Sequence, residues 1–285
     1  MAPAVPYRFV LLTSLAMLAF AGNSLLCRLA LRDTDIDPAS FTAIRIVSGA
    51  LTLGLLLYTR TSRQAIGGDW VSALALFVYA GAFSLAYVHL QAGVGALLLF
   101  GAVQLSMTGW GLVRGERLRT VQTGGLILAV IGLLILLLPG ADAPPLLGGG
   151  LMLLSGLAWG LYSLLGRGAG DPLAATAGNF LRATPLALLL LLPFLGSLSL
   201  DAPGLVYALL SGALTSGLGY ALWYSALKGL TAIQGASVQL SVPVIATLAG
   251  ALLLGESITW RLVLVALLTL GGIALMVWDR RRSLA

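Results

Sequence analysis

Charged residues are scarce in this sequence. They make up 9% of the 285 residues, against roughly 25% in a soluble globular domain. Hydrophobic residues make up 59%, and the mean hydropathy is +1.01. A soluble core of this size does not need that much apolar surface. The composition therefore predicts an integral membrane protein, whose first apolar run we expect to be a retained helix because it is too long for a cleaved signal.

Metal-binding and cross-linking side chains are scarce too. The chain has one cysteine, Cys27, and one histidine, His89. A lone cysteine excludes a disulfide within the chain, and the two residues together exclude a metal site built from several Cys or His ligands. An intramembrane enzyme would need a metal cluster or a nucleophile with its base. We therefore expect a protein without enzymatic activity, metal or cofactor.

Apolar runs of about 20 residues, the length that crosses a hydrocarbon core of ~30 Å, recur along the whole sequence. Ten such runs lie near residues 8–30, 38–59, 70–89, 92–113, 121–138, 147–166, 172–195, 204–226, 232–254 and 260–278. Most breaks between them carry proline, glycine or charge, as at Asp37-Pro38 and Asp171-Pro172. The sequence predicts an all-α membrane protein of ten transmembrane helices.

The positive charges predict the orientation, because Lys and Arg in short loops stay on the cytoplasmic side. With the N-terminus inside, most basic residues fall in cytoplasmic segments: Arg8, Arg60, Arg63, Arg114, Arg117, Arg119, Arg167, Lys228, Arg280, Arg281 and Arg282. Both termini are therefore predicted to be cytoplasmic. The same scatter leaves no single basic patch for nucleic acid.

The two halves of the sequence look duplicated. Residues 20–30 (FAGNSLLCRLA) match residues 159–169 (WGLYSLLGRGA), and Gly115-Glu116 recurs as Gly255-Glu256. Each half holds five predicted spans, an odd number, so the second copy must enter the membrane from the opposite side. Inverted repeats of this kind place a solute site near the midplane, where the repeats meet.

We place the first repeat at residues 1–140 and the second at residues 141–285. One chain then supplies both halves of a transport pathway, so a monomer is sufficient. The partners expected are a small-molecule solute and the lipid bilayer.

On these features the sequence resembles the drug/metabolite transporter superfamily, in its ten-helix branch with two EamA-type repeats. The resemblance covers nearly the whole chain and rests on the paired repeats, the recurring Gly-Glu, Pro243 in the ninth span and the basic tail. The fourth span lacks a proline equivalent to Pro243, so the halves cannot bend identically. Within the superfamily the chain looks like the YddG-type exporters. That likeness implies export of aromatic amino acids across a bacterial inner membrane.

Polar side chains in mid-span are costly in lipid and usually face protein or a water-filled cavity. Gln104 and Gln239 are the foremost candidates for solute contact, because a carboxamide can both donate to and accept from a zwitterion. Hydrogen bonds between helices are the alternative interpretation. Pro243 follows Gln239 by about one helical turn and is the candidate hinge.

Aromatic residues form the second group of candidates. Tyr79 and Phe83 are four residues apart and share one helix face, and Trp159, Tyr162 and Tyr220 also lie deep in their spans. They are predicted to contact an aromatic or apolar solute, with ordinary helix packing as the alternative.

Three ionisable residues are candidates for a proton or anion contact. His89, at the outer end of span three, is a possible proton relay or a loop contact. Arg45 and Arg182, inside spans two and seven, could neutralise an anionic group or pair with a nearby acid. Glu116 and Glu256, at the ends of spans four and nine, are expected to pair with loop arginines or helix termini.

The acidic residues favour a particular mechanism by their positions. None of the ten lies in the centre of a predicted span, whereas proton- and sodium-coupled transporters commonly keep a carboxylate there. We expect a facilitator or exchanger that works by alternating access. A proton-coupled carrier of a drug, sugar or nucleotide derivative, and a channel-like pore, are the alternatives, although no selectivity-filter sequence is present.

Overall fold

The computed structural model describes residues 7–60, 66–115, 117–140, 143–166, 170–227 and 238–282. The regular secondary structure of these ranges is helical. The helices of the first half are α1 (Tyr7–Asp33), α2 (Pro38–Tyr58), α3 (Trp70–Tyr87), α4 (Ala92–Val113) and α5 (Thr120–Leu137). Of the residues discussed above, Arg63, Glu116, Arg167 and Lys228 lie outside the described ranges.

The second half is less regular. It contains α6 (Leu146–Gly166), α7 (Pro172–Leu189), a 3₁₀ turn (Leu192–Phe194), α8 (Ala202–Leu210), a π-helical segment (Ser211–Leu218), α9 (Gly219–Leu227), α10 (Ser241–Leu254) and α11 (Trp260–Arg282). The π-helical segment joins α8 to α9, and these three elements together form the eighth span.

Eight helices in the described ranges are long and apolar enough to cross a membrane. They correspond to the first eight predicted spans. Within α10 and α11, the apolar stretches Ser241–Leu254 and Trp260–Met276 are shorter. The chain is thus an all-α, multi-pass membrane protein.

Aspartates start four of the helices. The side chains of Asp37, Asp69, Asp171 and Asp201 accept hydrogen bonds from backbone amides in the first turns of α2, α3, α7 and α8. Each thereby satisfies amides that have no partner within the helix. In α2 and α7 a proline follows directly, at a position where its missing N–H costs nothing. The Asp-Pro breaks of the sequence are therefore helix starts.

The seventh span covers Pro172–Phe194, close to the predicted 172–195, but it is not one continuous α-helix. The sequence placed its end near residue 195, but α7 ends at Leu189 and a separate 3₁₀ turn follows. Pro193 explains the break, because proline lacks the amide for the next helical bond and its ring clashes with the carbonyl four residues earlier. Pro185, by contrast, lies within α7.

Every helix of the first half packs against helices of the second half. The α1 helix contacts the eighth span and α10, α2 contacts α7 and the eighth span, and α3 contacts α6 and α7. The α4 helix contacts α6 and α10, and α5 contacts α11. The centre of the bundle therefore lies between the halves.

Glycines allow α5 and α11 to approach closely. A β-carbon on Gly125 would overlap the carbonyl oxygen of Gly272, and one on Gly272 would overlap that of Gly125. Small residues commonly permit such close packing of membrane helices. The last helices of the two halves are thus held together by backbone contact.

Candidate functional site

A small cavity lies where α1, α3, α4, α6 and the eighth span meet. Its volume is about 20 Å³, which is space for about one water molecule. The wall consists of Phe20, Asn23, Ser24, Tyr79, Phe83, Leu99, Phe100, Trp159, Thr215 and Tyr220. The helices must move apart before a larger solute can enter.

Trp159 is the centre of the aromatic wall. Its ring centroid lies 4.8 Å from that of Tyr79, 5.1 Å from that of Tyr220 and 6.1 Å from that of Phe20. Aromatic pairs at such distances attract each other beyond the effect of burial alone. Four helices thus contribute aromatic rings that contact one another around the cavity.

Close packing of α6 brings Trp159 to this place. A β-carbon on Gly156 would lie 2.5 Å from the carbonyl oxygen of Leu99, so α6 runs directly against α4. On the neighbouring residue, the Ser155 hydroxyl donates to the carbonyl oxygen of Tyr79 across 3.0 Å. The position of the indole therefore depends on contacts with both α3 and α4.

The polar part of the wall involves the π-helical segment. The side-chain oxygen of Asn23 accepts from the hydroxyl of Ser211 at 2.6 Å and from that of Thr215 at 3.1 Å. Such π-helical turns occur frequently at functional sites. No pattern in the sequence predicted the π-helical segment.

Arg45 lies behind the aromatic wall. The residue is buried, with only 2% of its surface exposed. Nη2 donates to the Tyr79 hydroxyl at 2.9 Å, and Nε donates to the Ser216 hydroxyl at 3.1 Å. The guanidinium carbon lies 5.0 Å from the ring centroid of Phe83. Nη1 and the hydroxyl of Tyr220 are both buried without a hydrogen-bond partner.

The structure brings most of the aromatic candidates together. Tyr79, Phe83, Trp159 and Tyr220 line the cavity, while Tyr162 packs against Trp159 at a centroid distance of 5.6 Å. Their contact with a solute stays a prediction.

The glutamines lie elsewhere. Gln104 is 8% exposed and follows the wall residue Phe100 by one turn of α4, whereas Gln239 is half-buried just before α10. Neither side chain is part of the cavity wall. Solute contact by the two glutamines also stays a prediction.

The other candidates are separate from the central cavity. His89 is exposed and lines a second cavity of about 240 Å³ together with Arg261. Arg182 donates from Nη1 to the carbonyl oxygen of Gly67 at 2.8 Å, which ties α7 to the segment before α3. Pro243 lies in the first turn of α10, where its missing amide breaks no helical bond. Its role as a hinge stays a prediction.

An ion pair closes one end of the bundle. Arg28 Nε lies 3.2 Å from Glu256 Oε1, and the two side chains are 14% and 7% exposed. Arg28 also donates to the carbonyl oxygen of Tyr87 at 2.9 Å, and Glu256 accepts from the amide of Ala92 at 2.8 Å. The expectation that Glu256 binds a helix terminus is confirmed at the start of α4, whereas its arginine partner lies within α1 and not in a loop.

Polar contacts also join helices at the other end of α3. Arg60 Nη1 lies 2.7 Å from Asp171 Oδ2, and the amide of Asp69 donates to the side-chain oxygen of Asn179 at 3.0 Å. The hydroxyl and amide of Ser72 donate to Asp69 and hold the pKa of that carboxyl below its usual value. These contacts connect α2, α3 and α7.

Comparison with known proteins gives consistent matches. Residues 146–278 match the model of the EamA-like transporter family. An uncharacterised protein of Pseudomonas aeruginosa is 68% identical over 96% of each chain. The uncharacterised transporter YoaV of Bacillus subtilis is 24% identical over 84% of this chain and 87% of its own. A solved crystal structure, 20% identical, covers 96% of this chain and 98% of its own with a TM-score of 0.68 and has the same fold.

The apolar helices and the family match together define a multi-pass integral membrane transporter. Residues 146–278 form an EamA-like transporter domain, and this domain together with the transporter relative supports membership of the drug/metabolite transporter superfamily.

Proposed function

We propose that this transporter exports small neutral or zwitterionic metabolites, chiefly aromatic and other apolar amino acids, across the bacterial cytoplasmic membrane. The aromatic wall of the central cavity carries the proposal. Ligand sites are mostly apolar with a few polar groups that fix orientation, and here Asn23 and Thr215 stand beside Tyr79, Trp159 and Tyr220. An aromatic side chain of the solute would replace ring contacts that the wall residues make with one another.

The helix contacts support an arrangement of ten spans as two inverted repeats, residues 1–140 and 141–285, with both termini cytoplasmic. In two five-span repeats, each span is equivalent to the span five places away in the chain. Under this equivalence, the α3–α6 contact corresponds to a contact between the eighth span and α1. In the same way, the α4–α6 contact corresponds to a contact between α1 and α10. Both of these corresponding contacts are present in the structure. The α2–α7, α4–α10 and α5–α11 contacts map onto themselves. This is the pattern that a two-fold axis between the halves produces.

Equivalent residues of the proposed repeats meet at the cavity. Phe20 and Trp159 are the first residues of the two matching segments, and their rings contact each other edge to face. An axis through the cavity would place the solute between the repeats, as alternating access requires. The Arg28–Glu256 pair would then close the outer end, and the Arg60–Asp171 pair would lie at the inner end.

The positions of the acids support transport by facilitated diffusion or exchange. The ion pairs among the described residues lie at helix ends, where a carboxylate cannot carry a proton through the middle of the membrane. Both proton coupling and a channel-like pore predict different kinetics and can be tested directly.

The test is counterflow in proteoliposomes. Vesicles containing the purified protein are preloaded with unlabelled tryptophan, and uptake of labelled tryptophan is followed with and without an imposed pH gradient. We expect saturable uptake that does not need the pH gradient. Dependence on the gradient would replace the facilitator by a proton-coupled carrier, and uptake without saturation would indicate a pore. Absence of counterflow by folded protein would refute the proposed solute.

A further inference from the structure

A buried arginine without a counter-charge adjoins the cavity. The guanidinium of Arg45 can donate five hydrogen bonds. Nε and Nη2 are bound by neutral hydroxyls, of Ser216 and Tyr79, and Nη1 has no partner. Among the described residues, the ion pairs do not include Arg45. The structure thus keeps a full positive charge away from water with only part of its bonding capacity used.

Other arginines of the described chain have partners that explain them structurally. Arg28, Arg32 and Arg60 pair with carboxylates, and Arg182 and Arg261 donate to backbone carbonyls near helix ends. Nε of Arg261 is also buried without a partner, but that residue as a whole is only half-buried, whereas Arg45 is fully buried. A buried charge that lacks such compensation is unfavourable for folding. Within a membrane span, an ionisable residue of this kind is most readily explained by function.

A second unpartnered donor lies nearby. The Tyr220 hydroxyl is buried without a hydrogen bond, and Tyr220 itself lines the cavity. Ser216, which accepts from Arg45, precedes Tyr220 by one helical turn. Tyr79, the other acceptor, also lines the cavity. The guanidinium of Arg45 and the unpartnered hydroxyl of Tyr220 therefore adjoin the same part of the cavity wall.

We propose that Arg45 and Tyr220 form a carboxylate subsite of the solute site, so that the transported solute carries a carboxylate beside its apolar body. A carboxylate only accepts hydrogen bonds and forms its strongest ones with a guanidinium. A single cationic side chain can balance the charge of one carboxylate, whereas a phosphorylated solute would need several cationic side chains. The inference rests on the proposed function for the location of the site, and it names the group that the site recognises.

The test compares carboxylates with their amides. Binding of L-tryptophan, L-tryptophanamide, L-leucine and L-leucinamide is measured from the melting temperature of the detergent-solubilised protein. In the wild type we expect each amide to bind at least about tenfold more weakly than its acid, because it loses charge-assisted hydrogen bonds. Arg45→Gln should abolish this preference, and Tyr220→Phe should reduce it.

The unliganded melting temperature separates a binding role from a structural one. If Arg45 serves the solute, Arg45→Gln should melt at or above the wild-type temperature, because it removes an uncompensated buried charge. A clear fall would identify Arg45 as a structural residue and overturn the inference. Should Arg45→Gln fail to fold, that result counts against the inference in the same way. The Tyr220→Phe variant measures the carboxylate preference independently of Arg45, and an undiminished preference would overturn the role of Tyr220.

The ligand outcomes distinguish this inference from the proposed function. Equal binding of acids and amides, or a preference that survives Arg45→Gln, would overturn the carboxylate subsite while leaving an aromatic solute possible. Binding of leucine but not tryptophan, lost in Arg45→Gln, would support the subsite and refute the aromatic preference. Stabilisation by chloride alone, with no effect of any carboxylate, would also overturn the inference.

Discussion

Replacing Glu256 with glutamine tests how the ion pair stabilises the end of the bundle. Glutamine keeps the size of the side chain and an oxygen that can accept from the Ala92 amide, but it removes the charge that faces Arg28. Breaking a buried ion pair costs about 3–5 kcal/mol. Arg28 keeps its carbonyl bonds and is 14% exposed, so we expect a smaller loss, about 2 kcal/mol. The melting temperature should fall by roughly 5 °C.

Asp33→Asn is the matched control. Asp33 pairs with Arg32 at 2.6 Å, but these two side chains are 41% and 32% exposed. Exposed ion pairs contribute about 0–1 kcal/mol, so the melting temperature should fall by at most about 2 °C. Both variants are measured by thermal unfolding in the same detergent. Equal shifts for the two variants, or no shift for Glu256→Gln, would refute the argument from burial.

Two further predictions concern helix packing and pH. Gly125→Ala should destabilise the protein by about 1–3 kcal/mol, because the added β-carbon would overlap Gly272. Gly124→Ala is the control, since its β-carbon meets open space and should not change the stability. Thermal unfolding compares the two variants, and equal stability would contradict the close packing. The pKa of Asp69 is lowered by hydrogen bonds from Ser72, so its stabilisation is complete above about pH 4 and is lost as the pH falls through the lowered folded-state value. The melting temperature of Asp69→Asn should therefore depend less on pH at acid pH than that of the wild type. The same pH dependence in both proteins would contradict this role of Asp69.

The helices could be predicted from the sequence because hydrophobic length and breaking residues act locally. Asp37 and Asp171 mark helix starts through their own side chains and the prolines that follow them. The early end of α7 was less evident, since the apolar run continues past Leu189 and only Pro193 interrupts it. The π-helical segment depends on contacts between distant residues, such as Asn23 with Ser211, and no local signal predicts it.

The site was predictable in part for the same reason. Tyr79 and Phe83 share a helix face by their spacing, and both line the cavity. Gln104 and Gln239 were proposed from their depth and from the bonding capacity of a carboxamide, neither of which determines the direction in which a helix face points, and their contact with a solute stays a prediction. Phe20 was missed, although it aligns with Trp159 in the repeat and the two rings make contact. The repeat match contained that signal.

The most direct test of the account is tryptophan counterflow by Trp159→Ala beside Trp260→Ala. Trp159 is 5% exposed at the centre of the aromatic wall, whereas Trp260 is 79% exposed at the start of α11. Both variants are first shown to be folded and monodisperse, and initial rates are then measured over a range of tryptophan concentrations. We predict that Trp159→Ala raises KM roughly tenfold or abolishes counterflow, since it removes ring contacts and packing around the solute, while Trp260→Ala behaves as the wild type. Wild-type kinetics in Trp159→Ala would contradict a solute site at the aromatic cavity.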